Sequence, residues 1–115
     1  MLIAEDGKNL LYRNKSIAFL ASGKFWVNNH AHIVQTNGNI PQDYLCHYIN
    51  SIDLTFILTG IDQVKLTASA LENILVPMPS LNEQKIIVEV VNNQFRLIDS
   101  IYENLEESQT KISVF

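Results

Sequence analysis

Thirty-six residues without a glycine or a proline close this 115-residue chain, from Ser80 to Phe115, directly after Pro77-Met78-Pro79. The two prolines stop whatever precedes them, because proline supplies no N–H and restricts its predecessor. Ser80-Leu81-Asn82-Glu83 then fits a capping box, in which the serine side chain caps the helix start and the glutamate reaches back. One unbroken helix of about nine turns is predicted for 80–115. Its apolar positions alternate in steps of four and three through Ile87, Val91, Gln94, Ile98, Ile101, Leu105, Ser108, Ile112 and Phe115. That is a heptad seam with Gln94 and Ser108 as polar interruptions. Burying Ile87, Val91, Ile98, Ile101, Leu105 and Ile112 against another helix is expected, since each large aliphatic is worth roughly 1.5–3 kcal/mol.

The first half reads differently. Leu2-Ile3 runs into the tight-turn signal Asp6-Gly7. Leu10–Tyr12, Ile17–Ala21, Phe25–Val27 and His30–Gln35 are candidate strands, separated by the breaks Arg13–Ser16 and Ser22–Lys24 and closed by Asn37–Asn39. Pro41 starts a helix running to Asn50, with Tyr44, Leu45, Tyr48 and Ile49 at helical spacing. Ile52–Leu58 is apolar and β-branched up to Gly60. Leu66–Leu71 suggests one helical turn before an extended Ile74–Val76. The fold class expected is α/β in the α+β sense: a small twisted sheet with short helices over 1–79, then a long coiled-coil-type helix over 80–115.

Chemistry is hard to place on these residues. The four glycines are scattered, so no phosphate-cradling loop is present. Methyltransferase and nuclease motifs are missing, and no catalytic residue is assigned. His30 and His32 share a strand face, yet no third ligand lies nearby in sequence, so one is expected to sit against the core and accept a backbone hydrogen bond. No metal or cofactor is expected. Cys46 reads as a small buried hydrophobe, on a different helix face from His47. Trp26 is expected in the core. A lone cysteine and the lack of a basic-then-apolar start imply the cytoplasm, and no stretch is long and apolar enough for a membrane span.

The net charge of −4 argues mildly against nucleic acid, but it is unevenly spread. Residues 1–24 carry Lys8, Arg13, Lys15 and Lys24 against Glu5 and Asp6, whereas the later segments are acidic. Any DNA-facing surface is therefore expected near the start, on those four cations.

Four short segments bear a resemblance. Leu2-Ile3-Ala4-Glu5-Asp6-Gly7, Gly23–Ile33, Thr59–Leu71 and Ile74–Ile87 resemble, in order, the "L-I-x-x-D-G", "G-x-x-W-V-N-N-H-A-H-V", "T-G-x-x-Q-x-K-L-T-x-x-x-L" and "I-x-V-P-x-P-x-x-x-E-Q-x-x-I" segments of type I restriction-modification specificity subunits. Each alone is weak; together they are specific. The resemblance implies a fragment, the later part of one target-recognition domain and the start of its spacer helix. It implies DNA as a partner, with modification (methyltransferase) subunits docked on the scaffold and a restriction subunit reached through them. It also implies antiparallel pairing of spacer helices, which for this chain means a homodimer or a mixed assembly. The signature residues are expected to build the fold, leaving base readout to loops such as Lys8–Ser16 and Asn37–Gln42. The alternative is a helix-pairing interaction module that does not bind DNA.

Overall fold

The structure, a computed structural model, describes residues 1–27, 30–38 and 40–113, with side chains of the last helix described as far as Glu107. Three strands, β1 (Leu2–Ala4), β2 (Ala18–Phe19) and β3 (Ala31–Ile33), form an antiparallel sheet in the order β2-β1-β3. β1 lies in the middle, with Leu2 opposite both Phe19 and Ile33. The α-helices are α1 (Asn9–Tyr12), α2 (Gln42–Ser51), α3 (Ala68–Glu72) and α4 (Leu81–Ser113), with a 3₁₀ turn at Thr55–Ile57. The α+β architecture expected from the residues is therefore present. Ile3, Ile17 and Leu66 are fully buried between sheet and helices, joined by Leu10, Ile49, Leu54 and Val64.

Three local expectations are corrected: two strands and the placement of Trp26. Leu10–Tyr12 is the helical turn α1, because only Leu10 faces inward and Gly7, at φ +104°, swings the chain into a turn. Phe25–Val27 forms no strand: both edges of β1 are already taken by β2 and β3. Trp26 is accordingly 96% exposed, outside the core. Within the apolar run Ile52–Leu58, to which no element was assigned, a 3₁₀ turn forms at Thr55–Ile57, and the Asp53 carboxylate accepts from the Thr55 backbone N–H and hydroxyl.

The family-like segments mostly hold the fold together. Thr59 and Lys65 exchange both backbone hydrogen bonds across a tight turn. Gly60 sits there at φ +86°, where a Cβ would lie 2.0 Å from the Gln63 carbonyl oxygen, so only glycine fits. This turn packs on the first one: Leu66 N–H donates to Glu5 O and Gly7 N–H to Val64 O.

The predicted capping box forms. Glu83 N–H donates to Ser80 Oγ, and Ser80 N–H donates to Glu83 Oε2, both at 3.2 Å. α4 then runs unbroken to Ser113, while Val114 and Phe115 lie outside the described residues.

Candidate nucleic-acid and helix-pairing surfaces

Of the four cations expected to face DNA, Lys8, Lys15 and Lys24 are exposed. Lys8 precedes α1, and Lys15 lies on the same loop, where the Asn9 side chain grips its backbone in both directions at 3.0 Å. Lys24 stands in the β2–β3 connection beside exposed Phe25 and Trp26. Arg13 differs. Its Nη2 donates to Ile52 O at 2.8 Å and its Nε to Leu10 O at 3.3 Å, so the guanidinium ties α1 to the end of α2. Arg13 also holds a left-handed φ of 55°, a conformation those two bonds help maintain. The second expected readout loop, Asn37–Gln42, contains Asn39, which is outside the described residues, as are Asn28 and Asn29 of the signature segment.

The two histidines part company. His30 Nδ1 lies 2.8 Å from Asp6 Oδ2, and His32 Nε2 lies 2.6 Å from Leu66 O. A carbonyl can only accept, so His32 donates, reversing the expected direction. Among the described residues no group of three His, Cys, Asp or Glu side chains could hold a metal. Cys46 is buried, and burial pushes its thiol above the ordinary value, reinforced by Asp43 and opposed by the amino terminus. Its neighbour His47 points to α4, as separate faces require.

Sequence reasoning missed two positioning side chains. Asn50 accepts at Oδ1 from Ile17 and Ala18 N–H and donates from Nδ2 to Ala18 O, closing the outer edge of β2. Gln84, 1% exposed, donates from Nε2 to Pro79 O and fastens the start of α4. Only the Glu83-Gln84 signature hinted at the second; nothing local marks Asn50.

The helix-pairing expectation comes out as follows. Ile87, Ile98, Ile101 and Leu105 are 42–55% exposed and Val91 is half-buried; Ile112 and Ser108 lie beyond the described side chains. The body takes a neighbouring stripe of α4, with Gln84 and Val88 buried, His47 Nε2 2.9 Å from Asn92 Oδ1, and the His47 and Phe95 rings 5.9 Å apart. That stripe lies roughly 90° around the helix from the expected seam, at about 100° per residue. Between α2, β2 and α4 runs an open apolar groove of about 540 Å³, bordered by Phe19, Tyr48, Ile87, Val91 and Phe95. No helix among the described residues is long and apolar enough to cross a membrane.

Comparison with known proteins gives the family to which the chain is similar. Residues 6–108 match the family described as type I restriction modification DNA specificity domain. The chain is 39% identical over 92 residues to a Haemophilus influenzae protein that bears the name of a type I restriction enzyme specificity subunit. That alignment covers 80% of this chain and 23% of the relative, so the chain spans about a quarter of the relative's length. No solved structure gives a significant match.

Proposed function

The chain belongs to the type I restriction-modification DNA specificity family, and from that premise we propose that it is a DNA-recognition component of such a complex. In this reading residues 1–79 are part of a target-recognition module and 80–115 are the spacer helix. The assembly positions modification (methyltransferase) subunits, and through them a restriction subunit, on a bipartite DNA site in the cytoplasm. The chain itself supplies recognition and spacing without catalysis, and pairs through α4 with a second copy or a partner subunit. Lys8, Lys15 and Lys24 meet phosphates, whereas Arg13 contributes charge while holding the loop that carries Lys8 and Lys15. Shape and loop contacts in a groove do the reading.

One observation carries this reading: the family match runs through both the α+β body and most of α4, the two parts a recognition-and-spacing role needs. The net charge of −4 favours the alternative, a pairing module without DNA affinity. Fluorescence anisotropy with a labelled duplex across a salt series separates them. Weak, sequence-indifferent binding is expected, with a salt slope that falls by about one for each of Lys8, Lys15 and Lys24 replaced by alanine. Salt-insensitive or absent binding at low salt would leave the pairing module.

A further inference from the structure

We propose that Trp26, midway along the β2–β3 connection, stacks on a DNA base at a step where the duplex opens, while Lys24 beside it holds an adjoining phosphate. This rests on the reading of the chain as a DNA-recognition component and adds an aromatic contact to the bases themselves.

Topology puts this connection in solvent. β2 ends at Phe19, opposite Leu2, and β3 begins at Ala31, opposite Ala4, so the chain crosses from one edge of β1 to the other and from one end to the other. Two strand spacings across and two residues along amount to roughly 12 Å. Residues 20–30 reach about 36 Å when extended. The excess length stands away from the sheet, and residues 22–26 are all exposed. Gly23, at φ +81°, turns the chain just before Lys24. Both feet are tied to the body: Asn50 Nδ2 donates to Ala18 O, and Glu5 N–H donates to His30 O.

The rings are bare. Trp26 is 96% exposed and its neighbour Phe25 49%, and neither belongs to the core. An indole open on both faces, two residues from a lysine, combines the two elements by which proteins hold unpaired nucleotides: a ring for the base and a cation for the backbone.

Charge selects nucleic acid over another protein. From Gly7 to Gln42 the chain has no Asp or Glu, yet Lys8, Arg13, Lys15 and Lys24 all fall there. The acids beside the connection stand at its feet. Glu5 and Asp6 meet His30, with Asp6 Oδ2 2.8 Å from its Nδ1, and Asp43 borders a shallow pocket with Leu20, Ala21 and Ser22. Among the described residues Lys24 has no acidic partner. A polyanion can therefore approach the middle of the connection without meeting a carboxylate first.

A paired duplex hides the faces of its bases, so a ring gains a stacking partner only where a step has parted. Every base has such a face, and the contact carries little sequence preference. That agrees with the weak, sequence-indifferent binding expected of the chain.

Trp26 is the chain's single tryptophan, so its emission reports this contact alone. The full chain is titrated with a labelled duplex carrying one bulged, unpaired base and with its fully paired counterpart. Anisotropy of the label follows binding, and indole emission follows stacking. Quenched emission and roughly tenfold tighter binding to the bulged duplex are expected. Trp26→Ala is expected to abolish that difference with an unchanged urea midpoint, and Trp26→Phe to keep most of it. Lys24→Ala lowers the salt slope by about one and leaves the preference for the bulge. Binding without quenching, or a preference that survives Trp26→Ala, would overturn the proposal and leave the DNA reading standing. A lowered midpoint in Trp26→Ala would make the ring part of the fold and end the proposal too. Emission that responds to a modification subunit but not to DNA would assign the ring to that protein instead. If neither duplex binds at low salt, this proposal and the DNA reading fall together.

Discussion

His47 Nε2 lies 2.9 Å from Asn92 Oδ1, and this side-chain bond joins the half-buried flank of α2 to the second quarter of α4. Phe95, a turn further on, places its ring 5.9 Å from the same imidazole. On the same side of α2, Tyr44 Oη donates to Pro77 O and Tyr48 Oη to Leu75 O, both at 2.9 Å. α2 therefore grips both the linker and the helix that follows it. The direction in which α4 leaves the body depends on that grip.

His47→Ala is expected to cost about 1 kcal/mol, the net worth of one hydrogen bond. For a domain this size that is a fall in Tm of several degrees. Amides of 88–95 are expected to exchange faster, while those of β1 stay protected. An unchanged Tm with unchanged exchange would show that packing at Gln84 and Val88 alone sets the angle.

Asn50→Ala is expected to be more damaging, at roughly 2–4 kcal/mol, because it strands backbone groups of Ile17 and Ala18, both 1% exposed. Urea denaturation measures it. A loss below 1 kcal/mol would mean water reaches the β2 edge and takes over the bonds.

Arg13→Ala and Lys15→Ala are expected to fail in different ways. The Arg13 side chain holds Ile52 O and Leu10 O, so its loss lowers the urea midpoint. The Lys15 side chain is exposed, so its loss leaves stability within about 0.5 kcal/mol and changes only the salt dependence of DNA binding. Equal destabilisation by the two would contradict the contacts assigned here.

The Cys46 thiol, raised by burial, makes stability sensitive to alkali. The folded state keeps the thiol neutral to higher pH than the unfolded chain does. Its contribution is therefore full below the ordinary thiol value and is lost as pH rises through the raised folded value. Urea midpoints compared with those of Cys46→Ala isolate the effect: the wild type is expected to fall more steeply on the alkaline side. Parallel curves would show that the thiol titrates normally.

The long helix was legible because every signal for it is local. Two prolines, a serine three residues before a glutamate, and a run free of breakers act within a few residues of one another, and the bonds between Ser80 and Glu83 follow from that spacing alone. α2 was legible for the same reason. Leu10–Tyr12 and Phe25–Val27 were misread because two or three apolar residues suit a strand or a turn equally. The choice fell to how many edges β1 had left and to which single residue could face inward.

The candidate surfaces divide along the same line. The cationic start, the apolar content of α4 and the family-like segments stand in the residue order itself. Which face of α4 docks on the body does not, because the seam through Ile87 and the stripe through Val88 are both apolar and lie a fraction of a turn apart. Packing of α2 chose Val88 and Gln84, left Ile98, Tyr102 and Leu105 bare, and bent the Arg13 guanidinium inward while the side chains of Lys8, Lys15 and Lys24 stayed in solvent. Local composition sets which elements can form, since capping and breaking act over a few residues. Only contacts between residues far apart in the chain decide which side of each element is covered and which is left for a partner.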